Sequence, residues 1–231
     1  MKNYVVIGGS SGIGKALVHQ LSTDSNNVYA TYLNSSPEKL NELEHYYKLD
    51  VTSENIDFTF LPDHIDGLIY CPGSINLMPF KRISPANFTA DFELQVNGAI
   101  KVIQACINRL KKATNPSIIL FSTVAVQLGF KYHTQVAVSK GAIEGLTRSL
   151  ASEFAPRIRV NAIAPSLTNT PLAQNMLNSD EKKMANAERH PLKKIGTPKN
   201  IADLASFLLS EKSSWMTGQI IHLDGGMSSI K

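Results

Sequence analysis

The stretch Tyr4-Val5-Val6-Ile7-Gly8-Gly9-Ser10-Ser11-Gly12-Ile13-Gly14 decides how the chain is read. Tyr4–Ile7 is a short β-rich run, and Ile13–Leu21 has the apolar spacing of a helix. Between them Gly8, Gly12 and Gly14 carry the spacing G-x-x-x-G-x-G. A glycine-rich turn from strand to helix lets backbone N–H groups face a pyrophosphate at the positive end of that helix. Gly8, Ser10, Ser11, Gly12, Ile13 and Gly14 are therefore candidate dinucleotide-binding residues. The same glycines would also serve a tight turn that binds nothing.

Outward from this loop, strand-like and helix-like segments alternate to the end of the chain. Val28–Tyr32 reads as a second strand, Pro37–Tyr46 as a short helix, Tyr47–Leu49 as a brief third strand and Leu68–Cys71 as a fourth. A helical block covers about Pro85 to Lys112, followed by a buried strand at Ile118–Phe121 and a helix at His133–Phe154. Ile158–Ile163, Pro198–Leu209 and Gln219–Leu223 follow as strand, helix and strand. Strands separated by helical patterns predict βαβ units, hence an α/β fold with a parallel sheet and helices on both faces. A chain of 231 residues suits one domain, 1–231, better than two. The stretch 165–191 lacks clear periodicity and is a candidate lid over a site.

Composition narrows the function classes. Hydrophobic residues at 43% and charged residues at 18% describe an ordinary soluble globular protein. A net charge of +4 with no run of like charges argues against nucleic acid as a partner. No stretch reaches the length of a membrane span, and Met1-Lys2 leads straight into a strand with no signal pattern. Cys71 and Cys106 each sit in an apolar stretch and read as free thiols in a reducing compartment, so the expectation is cytoplasmic. No metal site is expected.

Two later positions support a dinucleotide. Asp50-Val51 follows the third strand, where a carboxylate could accept from an adenine amino group. Gly73 closes the fourth strand, where the backbone must pass close to a cofactor. Both lie at the carboxyl ends of strands, where open α/β sheets bind ligands.

These residues give the chain a resemblance to the short-chain dehydrogenase/reductase family, of the compact single-domain type. It extends over nearly the full length, through GGSSGIG, LDV, the Asn97 of QVNG, the Lys140 of VAVSK, PSLTNT and the closing TGQIIHLDGG. The resemblance implies a Rossmann-type, doubly wound, seven-stranded parallel sheet of order 3-2-1-4-5-6-7. It also implies an NAD(P)(H)-dependent oxidoreductase, assembled as a homo-oligomer (dimer or tetramer) through the helices at Pro85–Lys112 and His133–Phe154. The family selects NAD with an acidic residue at the end of the second strand. Here Tyr32 stands at that place, followed by Leu33, Asn34 and Ser35, so NADP(H) is favoured over NAD(H). Ser11 occupies the loop position that is basic in many NADP-dependent relatives, and Lys15 reads as pointing along the helix. Thr170 would bind the nicotinamide carboxamide, with Ser166 replacing the family's glycine in Pro165-Ser-Leu-Thr-Asn-Thr170. Tyr70-Cys71-Pro72-Gly73 lacks the two asparagines that relatives carry there.

Reduction of a carbonyl needs a hydride and a proton. By resemblance the proton comes from a tyrosine one turn before Lys140, whose charge lowers the tyrosine pKa. Asn97 matches the asparagine that positions a water, and the substrate-binding serine position falls on Thr123, with Ser122 beside it. The tyrosine position is Val136, an alkyl group that cannot donate, accept or titrate. Three readings stay open. Tyr132 or His133 supplies the proton; an enone or quinone substrate needs no strong acid; or the protein is a dinucleotide-binding pseudoenzyme, a sensor or non-catalytic subunit. The expected substrate is a small, mostly apolar carbonyl or enone. Leu172, Met176 and Leu177 either line its pocket or form the buried face of a short helix.

Overall fold

The computed structural model describes residues 1–34 and 36–230; the Ser35 that followed Tyr32 in the cofactor reading lies outside the described residues. Seven parallel strands form one sheet in the order β3-β2-β1-β4-β5-β6-β7. They are β1 (Asn3–Ile7), β2 (Asn27–Tyr32), β3 (Glu44–Lys48), β4 (Gly67–Tyr70), β5 (Ser117–Phe121), β6 (Arg159–Pro165) and β7 (Ile220–Leu223). The helices are α1 (Gly12–Thr23), α2 (Pro85–Phe92), α3 (Gly98–Leu110), α4 (Ala125–Leu128), α5 (Thr134–Phe154), α6 (Asp180–Glu188) and α7 (Pro198–Leu209).

The central strands are apolar at consecutive positions because both sheet faces are covered, and the two-residue period divides them between two cores. Val5, Ile7, Leu68, Tyr70, Ile118 and Leu120 face a core shared with Val102, Ile103 and Ile143 of α3 and α5. Tyr4, Val6, Ile69, Ile119 and Phe121 face the opposite core with Leu17, Val18, Ile201 and Leu208 of α1 and α7. Each fully buried side chain of this size contributes roughly 2 kcal/mol. No described helix is long and apolar enough to cross a membrane.

Two local expectations fail. No helix forms between Pro37 and Tyr46 among the described residues; β3 begins at Glu44 and pairs with β2 from Val28↔Glu44 to Tyr32↔Lys48. Glu44 is fully buried and accepts from Ser22 Oγ at 3.0 Å and from the Leu40 amide at 3.1 Å. Strand pairing and this buried carboxylate override a run of good helix formers. The helical block at 85–112 is interrupted by a π turn at Glu93–Asn97, where Tyr70 Oη donates to the Leu94 carbonyl at 2.5 Å. Such a turn shifts the phase of every side chain around it.

Candidate active site

The carboxyl ends of β1, β2 and β4 meet at the glycine loop. Gly8 has φ +76°, a left-handed conformation, and a Cβ at Gly14 would fall 2.2 Å from the Gly8 carbonyl oxygen. Ser11 is the N-cap of α1 but makes no side-chain cap, and the amides of Ser11, Gly12, Ile13 and Gly14 have no protein acceptor among the described residues. A helix start with free amides suits an anion. The cleft around it has a volume of about 1110 Å³, large enough for a dinucleotide, and Gly8, Ser10, Ser11, Gly12, Ile13, Gly14, Asp50, Val51, Gly73 and Thr170 all line it. Lys15 lines it too, contrary to the reading that it points along the helix, and so do Tyr32, Asn34 and Glu38. Asp50 is exposed, and accepting from the Thr52 hydroxyl and amide holds its carboxyl below the usual range.

A second cavity, of about 520 Å³, opens from the first: Ile13, Cys71, Gly73, Thr170 and Leu172 line both. It holds Thr123 from the end of β5, Val136 and Lys140 one turn apart on α5, and Ser166 from the end of β6. Thr123 and Ser166 are close neighbours because β5 and β6 pair side by side, with the Val124 amide donating to the Pro165 carbonyl at 3.2 Å. Thr123 Oγ1 accepts from the Ala125 amide and keeps its proton to donate, whereas Ser122 donates to Glu144 at 2.8 Å. Leu172 and Met176 line the cavity, while Leu177 is buried and does not.

Lys140 Nζ has no protein acceptor among the described residues. Burial lowers its pKa from 10.5 to about 8, against the opposing pull of the Asp91 carboxylate. Asp91 is itself buried and accepts from Ser74 Oγ, from Gln95 Nε2 at 2.8 Å on both oxygens, and from Ser139 Oγ at 2.5 Å. Burial raises the Cys71 thiol to about 12, which keeps it neutral and unreactive.

The sequence candidates divide. Asn97 is not in the cavity: its Nδ2 donates to Glu93 at 2.6 Å, within a surface pair of Glu93 and Lys101. Gln95, within the π turn, lines it instead, fully buried, with Oε1 unpartnered beside Gly73 among the described residues. Tyr132 is 44% exposed, under the Lys131 ammonium and outside the cavity. His133 lines the cavity and donates from Nδ1 to the Lys131 carbonyl at 2.8 Å. The sequence reading missed Gln95, Asp91 and His190. The four-residue spacing of Asp91 and Gln95 was the available signal for the first two, since it stacks them on one helix face. Among the described residues no three His, Cys, Asp or Glu side chains cluster to hold a metal.

A family model described as enoyl-(acyl carrier protein) reductase matches residues 8–228. A tropinone reductase homologue of Arabidopsis thaliana is 31% identical, over 97% of this chain and 78% of its own. A short-chain dehydrogenase family protein of Francisella tularensis is 29% identical, with a TM-score of 0.88 over 99% of both chains. The NADP-bound structure of ElxO is 26% identical, with a TM-score of 0.88 over 99% of both chains. Sheet order, glycine loop and these matches together make the chain a member of the short-chain dehydrogenase/reductase family of oxidoreductases.

Proposed function

We propose that the protein is an NADP(H)-dependent oxidoreductase acting on a small, mostly apolar carbonyl or enone. The observation that carries this is the continuity of the two cavities, which sets Thr123, Lys140 and Ser166 at one end of a trough and the glycine loop at the other. The free amides of residues 11–14 would hold a pyrophosphate, Asp50 and Val51 the adenine, and Lys140 and Thr170 the nicotinamide end. A bound nicotinamide supplies or accepts the hydride. Thr123 Oγ1 donates to the substrate oxygen and orients it. Val136 stands in the tyrosine's place, so the proton comes from another group; of the two candidates just upstream of it, His133 lines the cavity and Tyr132 does not. The missing carboxylate at Tyr32, together with Lys15 in the cleft, supports NADP(H) over NAD(H), although Glu38 also lines that cleft. The faces of α3 and α5 that are not covered by the sheet, where Val138 is 52% exposed, are the ones we expect to pair in a homo-oligomer, checked by sedimentation.

The test has two stages. NADPH and NADH are titrated by nicotinamide fluorescence, and NADPH consumption is then followed against aldehydes, ketones, quinones and enones. Tighter binding of NADPH than NADH, followed by turnover, is expected. Failure to bind either dinucleotide overturns the proposal, and binding without consumption of any substrate favours the pseudoenzyme.

A further inference from the structure

The loss of a tyrosine at residue 136 leaves the cavity in need of a proton path, and one pair of side chains has the geometry for it. Ser166 Oγ lies 2.9 Å from His190 Nε2, and His190 Nδ1 lies 2.8 Å from the Asn186 carbonyl oxygen. A carbonyl only accepts, so Nδ1 carries a proton, and that fixes what Nε2 can do. When the ring is neutral, Nε2 accepts from the Ser166 hydroxyl; when it is an imidazolium, Nε2 donates to the same oxygen. One hydrogen bond therefore serves both ends of a proton transfer without any movement of the ring. His190 is 2% exposed, and the Ser166 it backs lines the same cavity as Thr123 and Lys140. His133, by contrast, lines the cavity from the turn before α5 with its Nδ1 committed to the Lys131 carbonyl and no hydroxyl relay.

We propose that Ser166, relayed by His190, is the proton donor of this enzyme, an inference that rests on the reductase reading above. In the reducing direction the carbonyl carbon takes the hydride supplied by the reduced dinucleotide, and its oxygen takes a proton from Ser166 Oγ. His190 Nε2 returns a proton to Ser166 and the ring is left neutral; after the product alcohol leaves, water in the cavity protonates Ser166 Oγ as Ser166 passes its own proton back to Nε2. In the oxidising direction each transfer reverses, and the substrate alcohol gives its proton to Ser166 as Ser166 gives its own to Nε2. Ser166 is the catalytic residue of the pair, and His190 acts through it.

The alternative is that the pair only ties the end of β6 to the segment after α6. The two accounts separate on wild type, Ser166→Ala, Ser166→Thr, His190→Gln and His133→Ala, assayed at saturating NADPH with a substrate the wild type reduces. The relay predicts that Ser166→Ala lowers kcat by about 100-fold or more, with substrate KM and NADPH affinity held within about threefold. Ser166→Thr recovers much of that rate, and His190→Gln falls as far as Ser166→Ala. Nitrogen NMR of the His190 ring in the free wild-type protein should show a proton on Nδ1 whether or not Nε2 also carries one, and a Nε2 signal that shifts in Ser166→Ala. A Ser166→Ala enzyme within about threefold of wild-type kcat overturns the relay, as does a ring protonated only at Nε2 or a larger loss in His133→Ala than in Ser166→Ala. A tether alone would raise KM and weaken NADPH binding along with kcat. Failure of the reductase reading looks different: wild type binds NADPH and consumes none, and the relay falls with it.

Discussion

The two ends of the trough treat their polar groups in opposite ways. At the dinucleotide end the amides of residues 11–14 have no protein acceptor and Asp50 stays exposed. At the substrate end the supporting side chains are paired with one another, Ser122 with Glu144, Ser166 with His190, and Ser74, Gln95 and Ser139 all with Asp91, around a free Thr123 hydroxyl proton and Lys140 ammonium. The first end is made of backbone, so its ability to bind depends on glycine positions and little else. The second is made of side chains held by other side chains, where a change at one of them changes what the site can do.

Changes at either end can break this contrast, and the largest effect belongs to the glycine loop. Gly14→Ala would set a methyl 2.2 Å from the Gly8 carbonyl, which costs about 3 kcal/mol and abolishes NADPH binding. An alanine variant with wild-type melting temperature and NADPH affinity would show that the loop is not tightly built. Asp91→Ala leaves the buried donors of Ser74, Gln95 and Ser139 unpaired, at about 3 kcal/mol in denaturant unfolding, while the glycine loop keeps its NADPH affinity. If binding is lost in parallel with stability, the two ends are not separable.

Lys140 gives a pH signature. Its pKa is lowered from 10.5 to about 8 on folding, so the unfolded chain holds more protons between those values and stability rises with pH there. The cost of the buried charge is present in full below about pH 8 and fades towards 10.5. Relative to Lys140→Met, the wild type should gain on the order of 3 kcal/mol across that window. A flat difference would mean that Lys140 is solvated. Smaller still, Lys15→Ala should weaken NADPH by about fivefold, roughly 1 kcal/mol, and leave NADH unchanged if Lys15 meets the extra phosphate. Tyr132→Phe should alter neither stability nor kcat beyond about 0.5 kcal/mol, because the ring lies outside the cavity.

What could be read from the sequence follows the same contrast. The glycine loop, the strand ends at Asp50 and Gly73, and the apolar runs of β1, β4 and β5 are local signals, and the structure has them where the spacing puts them. The stretch from Pro37 was misread because Glu, Lys and Leu favour a helix in isolation, while pairing with β2 and burial of Glu44 are long-range facts. A helical period also cannot foresee a π turn: within the turn at 93–97 Gln95 lines the cavity, while the half-buried Asn97 side chain donates to Glu93. The Ser166–His190 pair spans twenty-four residues, and no local pattern connects a serine after a proline to a histidine before one. Ser166 was visible as a replaced glycine; its partner was not.

The central claim is that hydride chemistry survives here without a tyrosine at residue 136. Its most direct test is NADPH consumption by wild type and Val136→Tyr, side by side against the same carbonyls and enones. The account predicts that wild type turns over. A silent wild type beside an active Val136→Tyr would contradict it and leave a binding protein whose catalytic group has been lost.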